Sequence, residues 1–141
     1  MNKFNSQICT TMEQSKRLLA LGVKADTADM MWSAITRLRG RKLDDPMWSI
    51  RPCYNPHKSS ILRDDEDQEF IPAWSLSRLL VLMPKSVPSS VEGVAAVFGI
   101  NKRHDGGYVA GYPFATEAEG NVFDAIIRIV EWLVNEGYWE E

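Results

Sequence analysis

Two cysteines and two histidines are the side chains of this chain best suited to metal binding or nucleophilic catalysis. Only Cys53 and His57, with three residues between them, have the local spacing of a metal-ligand pair. A structural zinc site normally has two such pairs, so Cys9 and His104 would have to complete the set from distant segments. The acidic run at residues 64–69 lacks the fixed geometry that acid–base catalysis requires. The sequence therefore predicts no metal, cofactor or catalytic site.

Two further catalytic signatures are missing. The chain has no G-x-S-x-G motif, and no catalytic signature surrounds either cysteine. The pattern Gly106-Gly107-x-x-x-Gly111 lies inside a predicted hairpin, whereas a phosphate-binding loop connects a strand to a helix. An enzyme of unrecognised class is therefore the third of our hypotheses on function.

A basic segment supports the most specific functional hypothesis. Its four cations are Arg37, Arg39, Arg41 and Lys42. Such a cluster can pair with the phosphates of a nucleic acid, and Trp32 and Trp48, which flank it, can stack on bases. The alternative is that the segment is only a solvated basic turn. The sequence thus predicts a candidate nucleic-acid contact at these four residues.

Charge is unevenly distributed along the chain. Residues 1–63 contain 11 Lys or Arg and 5 Asp or Glu, whereas residues 64–141 contain 5 and 14. The net charge of −3 is thus the difference between +6 and −9. This asymmetry can indicate a nucleic-acid-binding half. It also fits two halves that attract each other within one fold or across a dimer.

Five tryptophans are many for 141 residues. Tryptophan is enriched among the residues that anchor protein interfaces. Trp132 lies in a predicted core helix, whereas Trp74 and Trp139 lie at the edges of predicted elements. These two are candidate contacts with a protein partner or a second copy of the chain, unless core packing accounts for all five.

Two short helices are predicted before the basic segment. Thr11 and Gln14 have the spacing of a capping box for a helix over residues 11–21. A second helix is predicted to begin after Asp26, which gives the pair the outline of a helix-turn-helix. Asp29 would lie in the first turn of that second helix, where its charge would repel DNA phosphates.

Residues 40–70 are predicted to be irregular. Residues 48–51 alternate apolar and polar side chains, as a half-buried strand does, and Pro52 restricts that strand to a sheet edge or ends it. The acidic run belongs to a predicted surface loop at residues 55–69.

A helix is predicted over residues 73–83, with Pro72 in its first turn and Pro84 stopping it. A linker is predicted at residues 85–93.

A β-hairpin follows, with strands over residues 94–100 and 108–114 around a glycine-containing turn. Gly99 and Gly111 predict bulges or close backbone contacts. The last predicted helix begins after Asn121 and ends at Gly137, and it is apolar on most of its circumference.

These elements predict a single α+β domain over residues 1–141, with a helical N-terminus and a short antiparallel sheet packed against the C-terminal amphipathic helix. No apolar run approaches the ~20 residues of a transmembrane helix, and the first residues contain no apolar segment typical of a secretory signal. We therefore expect no membrane partner.

Three stretches carry a family resemblance. They are Ile8-Cys-Thr-Thr-Met-Glu-Gln-Ser with residues 18–23 and 27–30, the stretch from Ile71 to Pro84, and Phe123-Asp-Ala-Ile-Ile with residues 131–138. Together they resemble small proteins without an assigned activity that are carried by prophages and conjugative elements of Bacteroides-type gut bacteria. The resemblance covers about half of the chain and is weak at residues 33–69. It implies a cytoplasmic bacterial protein associated with mobile DNA, and no catalytic residue.

The first hypothesis on function is accordingly a non-enzymatic accessory or interaction protein of a bacterial mobile element, which binds an unidentified protein or itself. The second is a nucleic-acid-binding accessory protein that uses the basic segment.

Overall fold

The computed structural model describes residues 7–39, 41–52 and 68–139. Within these ranges the chain forms three α-helices and ten short strands, and every strand pair is antiparallel. The predicted α+β class is confirmed. The chain divides into two compact units, Met1–Leu19 with Lys24–Arg78, and Ala20–Val23 with Leu79–Glu141. A single domain over residues 1–141 stays a prediction.

The first helix, α1 (Met12–Ala20), is confirmed together with its capping box. The Gln14 backbone N–H donates to Thr11 Oγ1 at 3.1 Å, and the Gln14 side chain accepts from the Thr11 N–H at 2.9 Å. Leu18 is fully buried and anchors the helix. The reciprocal bonds satisfy two of the N–H groups that a helix start leaves without intrahelical partners.

The predicted second helix, and with it the helix-turn-helix outline, is wrong. A single 3-10 turn, Ala25–Thr27, is followed by strand β1 (Met30–Ile35). β1 is the central strand of a sheet in which β4 (Trp48–Pro52) and β5 (Gln68–Ala73) are the edges. Pairing on both sides satisfies the backbone of β1, and this tertiary context decides a segment whose apolar period is ambiguous.

The two edge strands confirm one prediction for the middle of the chain and correct another. β4 confirms the predicted edge strand, and Pro52 lies at its end. Pro72 was predicted to begin a helix, but it lies in β5 opposite Met31, because an edge strand tolerates the missing N–H. Helix α2 (Leu76–Leu82) is correspondingly shorter than predicted. Cys53, His57 and the acidic residues 64–67 lie outside the described residues.

Trp74 is a core residue of the first unit and not the exposed contact that the sequence predicted. Its side chain is fully buried, and its indole N–H donates to Thr27 Oγ1 at 3.0 Å. Its backbone N–H donates to Oγ1 of the buried Thr10 at 3.1 Å. Proximity to an element's edge therefore does not expose this residue, whose backbone and side chain both have partners distant in sequence.

Asp29 supports the N-cap of α2 and does not cap a helix of its own segment. Its Oδ1 accepts from the Ser75 N–H at 2.9 Å, and its Oδ2 accepts from the Ser75 hydroxyl at 2.5 Å. Ser75 Oγ in turn accepts from the Arg78 N–H at 3.2 Å, in the manner of an N-cap. Asp29 and Ser75 thus tie the end of the 25–29 segment to the start of α2.

In the second unit, helix α3 (Val122–Glu136) packs on β9 (Tyr108–Tyr112) and β10 (Thr116–Gly120). β8 (Gly99–Lys102) completes the sheet on the other side of β9. The predicted packing of an antiparallel sheet on the C-terminal helix is confirmed. β10 was not predicted, because its alternating charges resemble a loop.

Both predicted ends of α3 are confirmed. Asn121 Oδ1 accepts from the Phe123 N–H at 2.9 Å, and Gly137 adopts a left-handed conformation with φ +79°. The buried residues of α3 occupy most of its circumference. They are Phe123, Ala125, Ile126, Ile127, Ile129, Val130 and Leu133.

The predicted linker and the first predicted hairpin strand need correction. β6 (Ser86–Pro88) lies within the supposed linker and pairs with β7 (Ala95–Val97). The continuous apolar run then breaks at Phe98, so that β7 and β8 have different partners. A run without alternation contains no signal for such a break.

Gly111 makes the close backbone contact that its place in the strand predicted. A Cβ built on it would lie 2.8 Å from Glu117 Cα and still nearer to the Thr116 carbonyl oxygen. Gly99, its partner across the β8–β9 pair, faces open space. Of these two glycines, packing therefore requires a glycine only at position 111.

Candidate nucleic-acid interface

The basic segment forms a hairpin between β1 and β4. β2 (Arg37–Leu38) pairs with β3 (Arg41–Lys42), so that Arg37 lies opposite Lys42. The Leu43 N–H donates to the Thr36 carbonyl at 2.8 Å and extends the pairing toward β1. Arg39 follows β2 with φ +53°, the left-handed conformation that tight hairpin connections require. We call residues 36–43 the basic hairpin.

The four predicted cations are all exposed. The basic hairpin makes Arg37 and Lys42 cross-strand neighbours, whereas Arg41 lies opposite Leu38 and thus on the other face. None of them makes an ion pair with another residue of the described ranges. Two like charges directly opposite on paired strands destabilise the pair, and this is the arrangement of Arg37 and Lys42. Exposed Asp44 and Asp45 follow the hairpin and offset only part of its charge.

The two flanking tryptophans differ in their surroundings. Trp32, on β1, is half-buried, and its indole N–H donates to the Thr10 carbonyl at 2.9 Å. Trp48, the first residue of β4, is also half-buried, but its indole N–H has no hydrogen-bond partner within the described ranges. Trp32 is thus held in the packing of the first unit, and Trp48 is the better placed of the two to contact a ligand.

Sequence reasoning missed two apolar side chains at the base of the basic hairpin. Ile35 ends β1 and is 50% exposed, and Met47 immediately precedes β4 and is 88% exposed. Both lie where the chain enters or leaves the region of the hairpin. Neither carries a signal in sequence, because only the pairing of β1 with β4 shows that the two chain segments are neighbours.

The described candidates for catalysis do not form a reactive group. Cys9 is buried, and its burial, together with the nearby charge of Asp29, raises the pKa of the thiol to about 11. The thiol is therefore protonated at neutral pH, which is unfavourable for a nucleophile. His104 is exposed in the β8–β9 turn. Among the described residues, no three His, Cys, Asp or Glu side chains cluster as metal ligands would.

An open groove of about 460 Å³ lies along the β6–β7 hairpin in the second unit. Apolar side chains and two serines line most of it, and Glu92 is its one ionisable lining residue. Acid–base catalysis requires a second positioned group or a strongly perturbed carboxyl. The groove thus offers no acid–base pair within the described ranges.

Trp139, the remaining interface candidate, follows α3 and is half-buried. Its backbone N–H donates to the Leu133 carbonyl at 3.3 Å, and its role in an interface stays a prediction. None of the described helices is long and apolar enough to span a bilayer.

Comparisons with models of protein families, with curated proteins and with solved structures found no match to this chain. The resemblance to proteins of mobile elements therefore stays a prediction, and the candidate interface depends on its geometry alone.

Proposed function

We propose that this chain is a non-enzymatic interaction protein that binds nucleic acid through the basic hairpin. The observation that carries the proposal is the direct pairing of Arg37 with Lys42, neither of which has an anionic partner in the described ranges. This repulsion destabilises the free hairpin. A bound phosphate between or beside the two cations offsets it, so the arrangement favours a polyanionic ligand.

Nucleic acid fits this surface better than a protein partner does. Its phosphates supply closely spaced negative charge, and a two-stranded β-ribbon is narrow enough to enter the major groove of DNA. The protein-partner hypothesis has less support, because Trp74 is buried and Trp139 is only partly exposed. Association with a mobile element and a cytoplasmic location remain part of the proposal through the sequence resemblance.

Salt dependence tests the proposal. Fluorescence anisotropy of labelled oligonucleotides measures affinity for single strands and duplexes at low and physiological ionic strength. If the four cations neutralise four phosphates, affinity falls about 50-fold for a single strand and about 150-fold for a duplex between about 50 and 200 mM salt. A salt-insensitive affinity contradicts the proposal.

Two double variants identify the surface. Arg39→Glu/Arg41→Glu is expected to abolish binding at low salt, because it replaces two phosphate contacts by repulsion. Lys16→Glu/Lys24→Glu changes the net charge equally at two exposed lysines of the same unit. This control is expected to keep affinity within about threefold at physiological salt, where distant exposed charges are screened. Equal losses in both variants, or binding only to anionic lipid vesicles, refute the proposal.

A further inference from the structure

We infer that the nucleic acid bound by the basic hairpin is single-stranded, with its bases on Met47 and Trp48. This inference rests on the proposed function and specifies the form of its ligand. The inference is based on exposed apolar surface close to the exposed cations: Met47, between the basic hairpin and β4, is 88% exposed. Trp48 follows Met47 directly and is half-buried, and its indole N–H has no hydrogen-bond partner in the described ranges.

The chemistry of the two nucleic-acid forms distinguishes them at such a surface. A duplex presents phosphates and sugars outward and keeps the faces of its bases stacked inside, so apolar side chains beside the cations gain little from it. A single strand exposes the faces of its bases, which pack on aromatic and apolar side chains while the phosphates follow cations. The combination of four cations with the apolar side chains of Met47 and Trp48 therefore fits unpaired nucleotides.

The path of the chain supports this arrangement. β1 and β4 are antiparallel neighbours, with Ala34 opposite Trp48. The basic hairpin occupies the connection between these two strands, so its cations and the apolar side chains at its base belong to one continuous segment of the first unit. Arg51, exposed on the edge strand β4, adds a fifth cation to this part of the unit.

The experiment compares oligo(dT) of about 15 nucleotides with the oligo(dT)·oligo(dA) duplex of the same length. The wild-type protein is expected to bind the single strand at least about tenfold more tightly, in line with the contribution of base stacking. Met47→Gln and Trp48→Leu are expected to weaken only single-strand binding, by about 5-fold to 150-fold for Trp48. The slope of affinity against salt stays unchanged, since neither variant removes a phosphate contact.

Control variants separate ligand contacts from folding. Val81→Gln makes the same kind of change at another exposed apolar residue, which is 71% exposed in α2 and lies in the second unit. It is expected to leave the affinity unchanged. Trp48→Phe keeps an aromatic face and is expected to retain most of the binding even where Trp48→Leu perturbs the fold.

The outcomes distinguish the two proposals. Equal or tighter binding of the duplex, with Met47→Gln binding like the wild-type protein, overturns the single-strand inference and leaves nucleic-acid binding in place. An equal loss in Met47→Gln and Val81→Gln also overturns the inference. Absence of binding to either form at low salt refutes the proposed function and the inference together.

Discussion

Replacing Asp29 is expected to destabilise the protein, because this carboxylate joins two segments of the first unit. Asp29 receives hydrogen bonds from both the backbone N–H and the hydroxyl of Ser75, at 2.9 and 2.5 Å. The same Ser75 oxygen accepts from the first turn of α2 through Arg78. Asp29→Ala removes both acceptors at once and leaves the Ser75 cap without its support.

The expected change in the free energy of unfolding follows from these contacts. Each hydrogen bond to a charged group contributes about 1.5–3 kcal/mol, and loss of an N-cap costs about 1 kcal/mol. Asp29 is half-exposed, so water can replace part of what is lost. We therefore expect Asp29→Ala to lower the free energy of unfolding by about 2 kcal/mol, and Asp29→Asn, which keeps one acceptor, by about 1 kcal/mol.

Urea denaturation followed by far-UV circular dichroism measures both changes. Asp26→Ala is the control, because Asp26 is exposed three residues earlier and has no partner in the described ranges; it is expected to change stability by less than about 0.5 kcal/mol. A double-mutant cycle with Ser75→Ala is expected to show coupling of at least about 0.5 kcal/mol. Additive effects of Asp29→Ala and Ser75→Ala would show that the contact between these two residues does not stabilise the protein.

Three further predictions concern the second unit. Gly111→Ala is expected to lower the free energy of unfolding by about 2–3 kcal/mol through its backbone clash, whereas Gly99→Ala changes it by less than about 1 kcal/mol; chemical denaturation compares them. Burial raises the pKa of Tyr112 from 10.0 to about 12, so the unfolded chain ionises first and stability falls by about 2–3 kcal/mol as pH rises across that interval. Tyr112→Phe is expected to remove this fall in stability, whereas Tyr108→Phe is expected to keep it. The opposite result contradicts the assignment of the fall to Tyr112. Phe114 is held at φ +69° while 70% exposed, so Phe114→Gly is expected to raise the unfolding free energy by about 1 kcal/mol; a lower thermal midpoint contradicts this.

Local signals predicted three features at helix ends, and the edge strand, correctly. The capping box at Thr11, the Asn121 cap and the Gly137 terminus depend on side chains within a few residues of the bond that they make. The strand at Trp48 was predicted from alternation and a following proline. Each of these features is encoded by neighbours in sequence, so one chain suffices to identify it.

Non-local pairing caused the errors. β1 was predicted as a helix because Asp26 and Asp29 resemble capping residues, yet Asp29 binds Ser75, the N-cap of α2, 46 residues further along the chain. Pro72 resembles a helix start, yet the strand pairing of β5 places it opposite Met31. In both places the local sequence offered a role at a helix start, but the residue pairs with a partner that is distant in sequence.

The candidate interface shows the same division between local and distant information. The four cations were found from their spacing alone, but their significance depends on which of them face each other. In a helix, Arg37 and Lys42 would lie on different sides of the cylinder; in the basic hairpin they are direct partners on one face. That pairing turns a general excess of positive charge into a specific repulsion, and a phosphate ligand relieves it. The basic hairpin is therefore a better candidate for binding than the charge count alone indicated, although the predicted helix-turn-helix outline is wrong.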